Sequence, residues 1–194
     1  MLKSILLIAG ATLATAQFNI TKSVVAKAAD PKYTIDYTVD YTNTANPSLV
    51  LQLKIENLDV STWTATNGSQ GLWVSLGWNT DEMDNADAAI CLYYYRNAAS
   101  DTFICSDFKA DAEGNFNADT INNIMNVSTI TGAGFRRTTN TVVRGNFTVQ
   151  FSRLFMTGDT AQDTIIRNKE FDVIYAVGSI VGSAPVQHTF SGVA

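Results

Sequence analysis

The chain has one histidine, two cysteines, three prolines and few charges, and each scarcity removes a class of function. A single imidazole, His188, excludes tri-histidine zinc, di-histidine metal clips and any relay between two histidines. With 3 Pro and 12 Gly in 194 residues the chain is neither collagenous nor linker-like, and at 46% hydrophobic it is too apolar for disorder. Lys and Arg number 13 against 18 Asp and Glu, giving a net charge of −5. Arg136-Arg137 is the only adjacent basic pair, so there is no basic stripe to neutralise phosphates and nucleic-acid binding is disfavoured. Gly-x-Ser-x-Gly elbows, phosphate-binding glycine loops and Cys-x-x-Cys are missing, and so is the Cys-x-x-Cys-His that attaches haem covalently.

What is present begins with MLKSILLIAGATLATA. Lys3, the apolar run from Ile5 to Leu13 and the small-x-small Ala14-Thr15-Ala16 read as a secretory signal over residues 1–16, with a secreted or cell-surface product expected. That run is too short to span a bilayer, and no later segment reaches about 18 uninterrupted apolar residues, so no transmembrane segment is expected in the mature chain. Glycosylation sequons stand at Asn19, Asn67, Asn126 and Asn146, whereas Pro47 blocks the one at Asn46. Cys91 and Cys105 flank a tight stretch from Arg96 to Asp101, and arms of equal length would set them opposite each other across a hairpin. In an oxidising compartment they form a disulfide; the alternative is two buried thiols.

Apolar residues recur with a period of two. Tyr33, Ile35, Tyr37, Val39 and Tyr41 share one face; Leu51, Leu53 and Ile55 repeat the pattern, as do Gly145, Phe147 and Val149. Further strand-like runs cover Leu72 to Trp78, Ala88 to Tyr95, Thr102 to Phe108 and Phe171 to Ile180, and only Thr120 to Val127 suggests a helical turn. Seven or more strands without alternating helices predict an all-β antiparallel β-sandwich, as one domain over residues 17–194.

Little of this carries chemistry. Asp111 to Asn115 departs from a calcium loop at Phe116 and Asn122, and Asp81, Asp84 and Asp87 read as turn and cap residues. Met83 and His188 remain. Met83 lies in an acidic turn between Gly71-Leu-Trp-Val-Ser-Leu-Gly-Trp78 and Ala88-Ala-Ile-Cys-Leu-Tyr-Tyr94. His188 follows the strand Phe171 to Ile180 in Ala184-Pro-Val-Gln-His-Thr-Phe190.

From Leu49 to Phe190 the chain resembles the DOMON family, β-sandwich domains that bind haem or sugars, and especially its haem-carrying, cytochrome b-type branch. The similar pieces are the glycine-aromatic strand ending at Trp78, Met83 to Asp87, Cys105-Ser-Asp-Phe, and Asp172 to His188. The resemblance implies non-covalent haem b with Met83 and His188 as axial ligands. Thioether and imidazole would hold the iron from both sides, favour the ferrous state and leave no open position, so the protein would pass single electrons rather than act as an enzyme. Trp78 and Phe190 are the aromatic residues expected against the porphyrin, with Trp73, Tyr93 and Tyr95 nearby; Arg136 and Arg137 are candidates for the propionates, and Met125 and Met156 are fallback ligands. With no flavoprotein or transmembrane cytochrome domain following, the redox partner is expected to be a separate protein. A second reading is a haem-free DOMON module that binds a carbohydrate or a protein in a surface assembly.

Overall fold

The computed structural model describes residues 20–64, 67–78, 80–96, 103–112, 115–129, 144–167 and 172–194. Eleven strands follow one another among these: β1 (Ile20–Lys27), β2 (Lys32–Asp40), β3 (Ser48–Asp59), β4 (Gln70–Trp78), β5 (Asp87–Tyr94), β6 (Phe103–Ala110), β7 (Phe116–Ala118), β8 (Met125–Thr129), β9 (Arg144–Leu154), β10 (Val173–Val181) and β11 (Ala184–Val193). They form a five-stranded sheet in the order β1-β2-β3-β9-β8 and a six-stranded sheet in the order β11-β10-β4-β5-β6-β7. Every pairing is antiparallel, so the expected all-β sandwich is the architecture of the described chain. Among the described residues no helix is long and apolar enough to cross a membrane.

The period-two pattern becomes the interior. Leu51, Leu53 and Ile55 of β3 and Phe147, Val149 and Phe151 of β9 are buried, and so are Leu72, Val74, Leu76 and Trp78 of β4. Tyr33, Ile35 and Val39 are buried on β2, with Tyr37 and Tyr41 packed at the margin as the alternation requires. The suggested helical turn is instead a chain of side-chain-capped turns leading into β8. Asp119 accepts from the N–H of Ile121 at 3.2 Å and Asn122 from that of Ile124 at 3.1 Å, so Asp and Asn side chains take the donors that a helix would have satisfied. Ile124 is the buried residue of that segment, and Met125 is 37% exposed.

Cys91 and Cys105 are register partners on β5 and β6, with Cα atoms 4.0 Å apart, and they form the expected disulfide inside the sandwich. The bridge closes a loop of 14 residues' separation, which restricts the unfolded chain and is worth about 3 kcal/mol in the chain-entropy account. The double substitution Cys91→Ala, Cys105→Ala is expected to lower the free energy of unfolding in urea by about 3 kcal/mol. A loss below about 1 kcal/mol would show that the bridge constrains the unfolded state very little.

Candidate functional site

The six-stranded sheet is apolar on both faces. Its inner face meets the other sheet, and its outer face carries Trp73 on β4, Ile90 and Leu92 on β5, Phe108 on β6 and Ile174 and Ala176 on β10. With Met83, Phe116, Pro185, His188 and Val193 these residues line a cleft of about 400 Å³, within the range of small-molecule sites. Two glycines keep its floor flat. A Cβ on Gly178 would collide with the Trp73 indole, and one on Gly77 would meet Ile174 Cγ1 at 2.6 Å. Trp73 therefore lies across β10, and its Nε1 donates to the Val186 carbonyl on β11 at 2.9 Å.

Met83 reaches the cleft from the β4–β5 turn. The Thr80 hydroxyl closes that turn by accepting from the Glu82 N–H at 3.1 Å, and the Ala86 N–H donates to the Met83 carbonyl at 3.1 Å. The turn is tied on both sides: Thr80 N–H to the Asp172 carbonyl at 3.2 Å, and Asn85 N–H to that of Asp111 at 3.0 Å. His188 reaches the cleft from a strand rather than a loop. The β10–β11 register shifts there, so that Val177 faces Phe190 while Gly178 faces His188, and Thr189 is the extra residue. This bulge turns two residues of β11 that are two apart, His188 and Phe190, to opposite faces. His188 lines the cleft, whereas Phe190 packs towards the interior, 6.3 Å from the Tyr33 ring with Lys27 over its own ring at 5.1 Å.

The structure thus brings Met83 and His188 to one cleft and leaves the two expected aromatic partners outside it. Trp78 is 1% exposed in the core, its ring 6.5 Å from Phe151, because alternation along β4 sends even-numbered residues inward and Trp73 outward. Tyr93 and Tyr95 are core residues around Trp63. Neither Met125 nor Met156 lines the cleft. Asn67, Asn126 and Asn146 are exposed; Asn19, Arg136, Arg137 and residues 1–16 lie outside the described residues. In the Asp111 turn the Asp111 carboxylate accepts from the Asn115 N–H at 2.9 Å, an ordinary turn closure.

No protein-family model matches the chain, and neither does any curated protein. The donor set itself suits a haem iron: one thioether and one imidazole facing a cleft whose remaining walls are mostly apolar. Among the described lining residues Asp81 is the only carboxylate, and no Lys or Arg is present.

One polar group stands apart from the turn role its sequence suggests. Asp87 is 1% exposed and paired with the fully buried Arg153, Nη2 to Oδ2, at 2.6 Å. The same carboxylate oxygen accepts from the Thr164 N–H at 2.5 Å. The signal was faint: an Asp opening an apolar strand and an Arg closing one, 66 residues apart. Burial pushes Asp107 up to about 7, with the neighbouring Asp87 and Asp163 adding to the rise and Arg153 opposing it. Asp87 is pushed up to about 6, again by burial, with Arg153 opposing.

Both folded-state values lie above those of the unfolded chain, so the fold holds protons that the unfolded chain releases. This contribution is fully present below about pH 4 and is lost as the pH rises through about 6 and 7. In chelator-treated buffer the melting temperature is expected to fall by several degrees between pH 5 and pH 8. Asp107→Asn should flatten that slope; an equal slope in the variant would assign the effect elsewhere.

Proposed function

We propose that the cleft on the outer face of the six-stranded sheet binds haem b and that the protein is a secreted one-electron carrier of the DOMON type. The observation that supports this reading is the meeting of Met83 and His188, far apart in the chain, on one apolar cleft. When bound, haem supplies a reversible ferric/ferrous couple. His188 would hold the iron through an imidazole nitrogen and Met83 through its thioether, a pairing that raises the reduction potential. Trp73, Ile90, Leu92 and Phe108 keep water from the cleft floor, and the tied β4–β5 turn holds Met83 in place. A separate donor or acceptor protein completes the exchange. The buried disulfide suits an oxidising compartment, in line with export.

One observation favours the haem-free module. Trp73, Phe108 and Phe116 with the Asp81 carboxylate are a set that can stack on and hydrogen-bond a sugar, and the described lining offers no cation for propionates. An optical spectrum separates the two readings. Haem-replete protein is expected to show a Soret band that sharpens on reduction. Met83→Ala and His188→Ala should each weaken haem affinity more than about tenfold, since even the outer partners of metal ligands are worth about 10–100-fold. Met125→Ala and Met156→Ala should leave the spectrum unchanged. A colourless protein after haem reconstitution, with sugar binding lost in Trp73→Ala, would establish the module instead.

A further inference from the structure

On the inner face of the same strands, at the rim of the sandwich, three carboxylates share one guanidinium. Asp87 stands on β5, Asp107 on β6 and Asp163 after β9, with one oxygen of each within 4.8 Å of the others. All three are withdrawn from solvent: Asp107 is 1% exposed, and the side chains of Asp87 and Asp163 are 1% and 3% exposed. Arg153 Nη2 faces Asp87 Oδ2 at 2.6 Å and Asp163 Oδ1 at 3.3 Å, while its Nη1 donates to the Thr164 carbonyl at 3.0 Å. Among the described residues no ion pair joins Arg153 to Asp107, and Lys109, the register partner of Asp87, forms none with the cluster.

Proximity alone would be an ordinary acidic cluster. Asp163 Oδ2 is met by the Asn123 side-chain amide, which donates to it at 2.8 Å, but the independent observation is that other buried oxygens of the cluster are unmet. Among the described residues, both oxygens of Asp107 and Oδ1 of Asp87 have no hydrogen-bond partner. The Asn123 backbone N–H stands near enough to act on Asp107, yet not at hydrogen-bond geometry. Buried polar groups without partners are rare and costly, and buried carboxylates more so. When all three are ionised, three carboxylates against one guanidinium leave two negative charges in excess, the charge that one divalent cation cancels.

We propose that Asp87, Asp107 and Asp163 form a calcium site that goes beyond the function of the cleft. The donors are all carboxylate oxygens, which suit a hard cation better than zinc or copper. Calcium accepts irregular oxygen geometry, whereas magnesium demands a near-ideal octahedron, which a cluster already tied to Arg153 through Asp87 and Asp163 does not offer. The ion would join β5, β6 and the segment after β9. It would thereby fix the base of the turn that carries Met83, because Asp87 begins the strand into which that turn leads.

The test uses the full chain stripped with EDTA. Calcium at a hundredfold excess over its Kd is expected to raise the melting temperature by about 5–10 °C. Magnesium at the same concentration should do distinctly less. Asp107→Asn, which keeps the shape and removes one charge, should abolish the calcium response without lowering the melting temperature of the stripped protein. Where that variant does not fold, wild-type protein decides through calorimetric calcium binding. Terbium emission excited through tryptophan and displaced by calcium should accompany that binding, since Trp78 is the register partner of Asp87. Absence of calcium uptake by the stripped wild type, an equal shift with magnesium, or a full calcium response in Asp107→Asn would overturn the assignment.

Discussion

The six-stranded sheet must bury two faces, and most of the molecule follows from that constraint. Its inner face is covered by the second sheet, as in any sandwich. Its outer face keeps Trp73, Ile90, Leu92 and Phe108 where a solvated sheet would place polar residues, so it needs cover from elsewhere. The β4–β5 turn supplies part of that cover, and β11, held beside β10, supplies another part. A cleft between partial covers is what an apolar face becomes when it is shielded but not sealed.

Strand order sets which side chains meet there. After β9 the chain returns to the six-stranded sheet and adds β10 beside β4, so β11 runs along the edge, one strand away from the strand that leads into the Met83 turn. The β11 bulge then separates His188 from Phe190, giving the cleft an imidazole and the core an aromatic ring. Gly178 opposite His188 and Trp73 makes the close approach possible. The proposed redox or binding role depends on these backbone arrangements as much as on the two side chains.

The opposite side of the same strands holds a different electrostatic problem. An Arg153 with three neighbouring carboxylates inside a sandwich is not a sensible way to gain stability, because desolvating charge costs more than an apolar pair of equal volume. Its placement is nonetheless specific, linking β5, β6, β9 and the segment after β9 at the end of the sheet where the Met83 turn begins. The two faces are joined mechanically, since Asp87 and Met83 belong to one turn and the strand it enters.

Much of the fold was legible because a strand's side-chain period is two. Tyr33 to Val39, Leu51 to Ile55 and Phe147 to Phe151 announce their buried faces, and equal hairpin arms announce the Cys91–Cys105 pair. The site was legible only in part. Residues as far apart as Met83 and His188 carry no local mark of proximity, and which aromatic faces outward depends on parity within a strand, which put Trp73 in the cleft and Trp78 in the core. Asp87 reads as a turn residue until β9 brings Arg153 against it. The sequence by itself determined most of the strands with their inward faces and the juxtaposition of Cys91 and Cys105, because these follow from neighbours a few residues away. Only the tertiary structure decided the cleft, the β11 bulge and the buried carboxylate cluster, because these arise where strands distant in the chain share an edge or a face.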